Sequence, residues 1–311
     1  MNKYLKSLLK YFFLPIYKRI ELRNLETKER SIIINAKNLI NNRNHISTKI
    51  NDFEFSAFSQ WGEDGIISYL VENLEIVSNS FIEFGVENYL ESNTRFLLIN
   101  NNWSGLIFDM SKENISEIKK HYYYWRHDLR AETATITAEN INDLIEKNGF
   151  KKPIGLLSID IDGNDYWVWD SINVINPRIV ICEYNSLWGA EHAVSTPYNP
   201  TFMRSNSHFS NLYYGASIKA FTELAKTKGY SLIGSNRAGN NIFFVRDDLV
   251  SNLNIIDPEK AWVQSQFSEA RDEDGKLSFL SFKDRLNQVS DQTLVNLNDG
   301  KEYIIRDIYD L

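Results

Sequence analysis

"YSLIGSNRAGNNIFFVR", Tyr230–Arg246, decides the fold. It holds two short apolar runs, "YSLIGSN" and "NNIFFVR", joined by only a few residues around "RAGN". A parallel pair of strands needs a crossover of about a dozen residues or more, so these two runs form an antiparallel pair. Just upstream, "GASIKAFTELAKTKG" has helical spacing, and Gly229 stands past its end, where a C-cap belongs.

Toward the N-terminus the pattern is alternation. "EDGIISYLVENL" places Ile66, Ile67, Leu70, Val71 and Leu74 on one helical face. Then come a strand "SFIEFGV", a helix "SNTRFLLINNN", a strand "SGLIFDM" and a helix "NISEIKKHYYYW". "TATIT" reads as the third strand and "AENINDLIEKNGF" as the next helix, with "IGLLSIDID" and "PRIVICEYNS" as strands four and five. Strands alternating with helices imply a mostly parallel sheet covered by helices on both faces. With the closing pair this gives an α/β chain built on a seven-stranded sheet whose last strand is antiparallel. We expect residues 1–50 to be a helical extension, 51–250 the α/β domain, and 251–311 a C-terminal extension packed on it.

Bulk properties narrow the class. The chain has 311 residues and a net charge of −7, which excludes an overall basic nucleic-acid footprint. Its one cysteine, Cys182, excludes a disulfide scaffold and fits a reducing, cytoplasmic setting. Cys182 sits in the apolar run "RIVICEYNS" and reads as a small core residue. Residues 1–23 carry Lys3, Lys6, Lys10, Lys18, Arg19 and Arg23 beside a partly amphipathic apolar stripe. This stretch is too short and too charged to span a bilayer. It reads either as a helix on the inner face of an anionic membrane or as one packing on its own domain or on a second copy in a homo-oligomer.

Chemistry is expected beyond the carboxyl ends of the strands, where open α/β sheets bind ligands. Strand one carries Glu83 and turns at Gly85, which permits close backbone approach to a ligand. This is no dinucleotide fingerprint, because Glu87 and Tyr89 stand where further glycines belong, and a pyrophosphate would meet like charge at Glu87. Strand two ends at Asp109, placed to accept hydrogen bonds from ribose hydroxyls. An acid-rich rim without phosphate-binding features suits S-adenosylmethionine, whose sulfonium is cationic. A small-molecule or glycan acceptor would complete the site.

The pieces "SQWGEDGII", "FIEFGVENYLESNTRFLLINNNWSGLIFD", "LLSIDIDGNDYWVW", "VICEYNSLWG", "PYNPTF", "YYGASIKAFTELAKTKGY" and "GNNIFFVRDDL" occur in this order over about Ser59 to Leu249. In them the chain resembles the FkbM-like branch of class I S-adenosylmethionine-dependent methyltransferases. The resemblance implies a Rossmann-like seven-stranded sheet and methyl transfer, often to a sugar hydroxyl. It makes Glu83, Gly85 and Asp109 the cofactor-binding acid, turn glycine and ribose acid. Ser92, Asn93 and Thr94 would hold the cofactor's carboxylate, and Gln60, beside Glu63 and Asp64, would close over it. Asp160 would face the reactive methyl.

Two readings of the strand-four and strand-five acids stay open. In one, Asp160, Asp162 and Glu183 bind a divalent ion such as Mg2+, which orients and acidifies hydroxyls. In the other, a carboxylate such as Asp160, or His192, acts as general base. "DIDGND" fails as a calcium loop, since its glycine is at position four and position twelve is Ser171. Rival functions are a nucleotide-sugar glycosyltransferase using Asp160-Ile161-Asp162 and a non-catalytic binding module. The long aromatic stretch Leu187–Tyr214 is the expected acceptor lid, and Asn185, Tyr198, Arg204, His208 and Tyr214 are the expected acceptor contacts.

Overall fold

A computed structural model of the chain describes residues 25–43, 47–151, 153–265 and 267–311. The chain divides after Arg43 into two units. In the first, residues 25–41 form helix α1. The basic stretch 1–23 lies outside the described residues. Among the described residues, no helix is long and apolar enough to cross a membrane.

The second unit opens with a 3₁₀ turn, Ile50–Phe53, and helix α2, Glu63–Asn73. The sheet region follows as β1 (Ser80–Phe84), α3 (Arg95–Asn101), β2 (Ser104–Asp109), α4 (Lys112–Ile118), α5 (Tyr122–Arg126), β3 (Leu129–Thr133), α6 (Ile141–Lys147), β4 (Ile154–Ile159), α7 (Asp165–Ser171) and β5 (Pro177–Glu183). Beyond it come β6 (Val194–Ser195), α8 (Arg204–Ser207), α9 (Ile218–Lys228), β7 (Tyr230–Ser235), β8 (Asn241–Arg246), α10 (Pro258–Ala261), α11 (Phe282–Gln288), β9 (Thr293–Asn296), β10 (Lys301–Ile304) and α12 (Ile305–Ile308).

Seven strands form one sheet in the order β3-β2-β1-β4-β5-β8-β7. β8 runs antiparallel to both its neighbours and is inserted between β5 and β7. The other adjacent pairs are parallel. The five-residue turn between β7 and β8 is organised by Asn236, whose side-chain oxygen accepts from the backbone N–H groups of Gly239, Asn240 and Asn241.

Alternation along the strands sorts the core into two layers. Ile82, Phe84, Leu106, Phe108, Leu157, Ile159, Val180 and Cys182 face one side, with α6, α7 and α9. Phe81, Ile107, Leu156, Ile179 and Ile181 face the other, with α2, α3 and α4. Both faces are apolar because both are covered by helices. Glu83, Asp109 and Glu183 fall in the alternation on the second face, at the strand ends where the helices stop.

Three details differ from the sequence reading. The third strand is Leu129–Thr133, four residues before "TATIT". It is an edge strand, so its outward residues Arg130 and Glu132 are polar and the apolar signal is thin. The helix expected over "NISEIKKHYYYW" is two helices, α4 and α5, broken at Lys119–His121. The Leu187–Tyr214 stretch is tied down at β6, which pairs with β9 of the C-terminal residues in a second sheet, β10-β9-β6. Trp188, Leu212, Tyr213, Leu286, Val289, Leu294 and Ile305 form a third apolar cluster between that stretch and the tail. The Tyr309 hydroxyl donates to the Trp188 carbonyl at 2.8 Å.

Candidate active site

A cavity of about 660 Å³ opens at the carboxyl ends of β1, β2, β4 and β5. That is within the size range of small-molecule and cofactor sites. Gly85 lines it and has φ +71°. A Cβ added there would lie 1.6 Å from the carbonyl oxygen of Asp160. Glycine is required because β1 and the turn after β4 touch through bare backbone.

The β1–β2 half of the cavity is prebuilt. Glu83 is buried, and its carboxylate accepts from Ser92 Oγ at 2.6 Å, from the Asn93 N–H at 2.8 Å, and from the N–H and hydroxyl of Thr94. Burial pushes its pKa up, and these donors pull it back toward the charged form. Asp109 Oδ1 accepts from the Ser111 N–H at 2.8 Å and from Asn114 Nδ2 at 3.2 Å, and Oδ2 accepts from the Glu87 N–H at 2.8 Å. Val86, Phe108, Met110, Ala134 and Ile136 supply an apolar wall beside Asp109.

The β4–β5 half is built in the opposite way. Asp160 and Glu183 receive no hydrogen bond on their side chains from any described residue. Glu183 is 7% exposed, and its Oε2 is buried without a partner. Carboxylate oxygens of Asp160, Asp162 and Glu183 lie within 4.8 Å of one another. Burial first, then Asp162 and Asp165, hold the Asp160 carboxyl well above the usual range; burial first, then Asp160 and Asp162, do the same for Glu183. Asp165, the third acid of "DIDGND", does different work. It accepts from the N–H groups of Ile161 at 2.8 Å and Gly163 at 2.9 Å and so holds the turn, with burial raising its pKa to about 6. That turn carries Asp162 at φ +57° into the cavity.

Arg204 faces these acids. Its guanidinium bonds Asp162 Oδ1 at 2.9 Å and Glu269 Oε2 at 2.6 Å, donates through Nε to the Asn211 carbonyl at 2.8 Å, and lies 3.8 Å from the centroid of the Tyr214 ring. Burial alone would lower its pKa, but Tyr214, Glu183, Glu269 and Asp162 together raise it. Among the described lining residues Arg204 is the sole cation against eight carboxylates: Glu83, Glu87, Glu91, Asp109, Asp160, Asp162, Glu183 and Glu269.

Of the residues expected from sequence, Gln60, Glu83, Gly85, Ser92, Asn93, Asp109, Asp160, Asp162, Glu183 and Arg204 line this one cavity. Several do not serve as expected. The Ser92 hydroxyl, the Asn93 N–H and the N–H and hydroxyl of Thr94 are engaged by Glu83, and the Ser92 N–H by the Phe58 carbonyl, so these donors brace the loop and are not free to hold a carboxylate. Asn185 is locked to the backbone, donating to the Leu212 and Tyr214 carbonyls and accepting from the Leu187 N–H. Tyr198 donates to Glu139 at 2.6 Å, and His208 pairs with Ser210 at 2.7 Å, both outside the lining set. His192 packs edge-on to Tyr309 and is likewise outside it. Tyr214 is buried outside the lining set, with its ring against the Arg204 guanidinium. Asp64 binds the N–H groups of Ala57, Phe58 and Ser59, and Glu63 binds Asn236 and Asn241, so both are braces for α2.

The sequence reading missed Phe202, Met203, Asn240, Asn241, Phe267 and Glu269, all of which line the cavity. Phe267 stacks on Trp61 at 4.9 Å and so joins the C-terminal extension to the loop before α2, beside Gln60. No local pattern marks Phe267 or Glu269, because their partners Trp61 and Arg204 are distant in the chain.

Residues 35–212 match the family described as Methyltransferase FkbM domain. The chain belongs to this family. No curated protein matches the chain significantly. Among solved structures it is similar to an S-adenosylmethionine-dependent methyltransferase from Clostridium acetobutylicum ATCC 824, at 12% identity over 59% of this chain and 90% of that one, with a TM-score of 0.38. It is also similar to the N-terminal domain of EvdMO1 with SAH bound, at 11% identity over 70% of this chain and 95% of that one, TM-score 0.39. A third likeness is the O-methyltransferase from Bacillus cereus in complex with SAH, at 10% identity over 71% and 91%, TM-score 0.37. Membership of the FkbM family bears out the resemblance to FkbM-like methyltransferases read from the sequence.

Proposed function

We propose that the chain is an S-adenosylmethionine-dependent O-methyltransferase acting on a sugar hydroxyl of a glycan or glycan precursor. The observation that carries this reading is the contrast between the two halves of the cavity. The β1–β2 half holds acids fixed by backbone donors beside an apolar wall, and the β4–β5 half holds carboxyls without partners.

The residues fit the cofactor. Asp109 Oδ2 has one protein donor and keeps acceptor capacity for a ribose hydroxyl. Met110, Ala134 and Ile136 offer the purine an apolar face. Eight carboxylates with one arginine favour a sulfonium over a cofactor carrying phosphates. When bound, the cofactor supplies an electrophilic methyl group. Asp160, with its pKa raised and no competing donor, takes the acceptor's hydroxyl proton as general base. Glu183 stands beside it as the second carboxyl. Phe267, held by its stack on Trp61, forms part of the cavity wall.

The closeness of Asp160, Asp162 and Glu183 favours a second reading, in which they hold Mg2+ through oxygen ligands. Arg204 already neutralises Asp162 at 2.9 Å, which weighs toward the metal-free base. A nucleotide-sugar transferase is less well supported, because its two phosphates would meet the same acids.

Incubation with methyl-labelled S-adenosylmethionine and a pool of sugars and glycan precursors tests the reading. Label on a sugar oxygen is expected. Label only on nitrogen or carbon, or none on any sugar, would sink it.

A further inference from the structure

The β4–β5 half of the cavity holds more carboxyl groups than the protein itself pairs. Asp160, Asp162, Glu183 and Glu269 converge there, and Arg204 is the only cation among the described lining residues. Arg204 is already divided between Asp162 and Glu269. Asp160 and Glu183 are left with no donor, and the Glu183 side chain is more than nine-tenths buried with Oε2 unpartnered. Elsewhere in the same cavity the buried acids are matched by donors: Glu83 has Ser92, Asn93 and Thr94, and Asp109 has Glu87, Ser111 and Asn114. An unpaired carboxylate out of water is costly, so the open half is built for a group that brings donors or positive charge.

We infer that the acceptor carries a protonated amine next to the hydroxyl it presents, as an amino sugar does, and that acceptors with a carboxylate or phosphate at that position are rejected. This rests on the methyltransferase reading above and narrows its acceptor class. The ammonium donates to Asp160 and Glu183, which no protein donor reaches. A carboxylate in its place would meet four acids and would have to take Arg204 from two of them. Like charges brought together at an interface repel, whereas a paired ammonium is attracted.

Three probes on one scaffold separate these cases: glucosamine, glucose and glucuronate. Their binding to the full chain saturated with S-adenosylhomocysteine is measured by saturation-transfer NMR and calorimetry near neutral pH, in EDTA so that no divalent ion masks the acids. Glucosamine is expected to bind tightest and glucuronate weakest, with at least about a tenfold span that shrinks as salt is added. Asp162→Asn, which removes one acid while leaving S-adenosylhomocysteine binding as a fold control, narrows the span. Glucuronate binding as well as glucosamine, or no distinction among the three, overturns the inference. Failure of S-adenosylhomocysteine itself to bind would count against the cofactor reading instead.

Discussion

A Cβ placed on Gly85 would stand 1.6 Å from the carbonyl oxygen of Asp160. The end of β1 and the turn after β4 are therefore one joint, and the β1–β2 and β4–β5 halves of the cavity meet there. Gly85→Ala must both adopt φ +71° with a side chain and push the β4 turn away. We expect a loss of at least about 2 kcal/mol of stability and loss of cofactor binding. Urea denaturation and S-adenosylhomocysteine titration on the same sample check it. A variant with wild-type stability and affinity contradicts the joint.

Arg204 ties the Asp162 turn to the C-terminal extension through Glu269. Its partners are partly exposed, so the stability effect of Arg204→Met is modest, about 1–2 kcal/mol. The local effect is larger: hydrogen exchange should rise across residues 267–280 more than in the sheet. Arg204→Lys keeps the charge but not the fork, and should restore only part of the protection. Equal exchange in all three proteins would show that the extension is held by its apolar cluster alone.

Burial raises the folded-state pKa of Asp160 and Glu183, and raises that of Asp64 and Asp165 to about 6. A carboxyl with a raised folded pKa binds more protons folded than unfolded. Its contribution is therefore fully present below the unfolded value, near 4, and is lost as pH rises through the folded value. Stability should fall from about pH 4 to pH 6 for the Asp64 and Asp165 part, and Asp160 and Glu183 add to the fall in the same direction as pH rises. Asp160→Asn removes one such group. Its Tm should exceed wild type at pH 8 by about 1–3 °C and match it at pH 4. A gain of the same size at both pH values, or a loss at pH 8, would contradict the assignment.

The two readings of the acid cluster separate on one titration. If Asp160, Asp162 and Glu183 act without metal, Mg2+ added to the chelated protein leaves S-adenosylhomocysteine affinity and Tm unchanged. If they hold Mg2+, Tm rises with its concentration, and Asp162→Asn abolishes the rise.

Much of this molecule is legible in its residues. The short "RAGN" connection forces the antiparallel pair, and alternation in "SFIEFGV" and "SGLIFDM" puts Glu83 and Asp109 on one face. The three acids of "DIDGND" are not separable by spacing alone. Only the folded turn commits Asp165 to the N–H groups of Ile161 and Gly163 and leaves Asp160 and Asp162 for the cavity. The Leu187–Tyr214 stretch reaches the cavity only in part, through residues such as Phe202 and Arg204, for a related reason. Its hydrogen-bonding and aromatic residues suit a sugar, but the same chemistry satisfies Glu139, Ser210 and Tyr309, and a sequence does not say which partner wins. "TATIT" outscored the true edge strand because an edge alternates with charge.

The most direct test is calorimetric titration of S-adenosylhomocysteine into wild type and Asp109→Ala. The account predicts one site per chain on wild type and at least about a tenfold weaker affinity for the variant, which loses both the ribose acceptor and the anchor of the Glu87 and Ser111 N–H groups. No binding to folded wild type, or equal affinity in the two proteins, would contradict it.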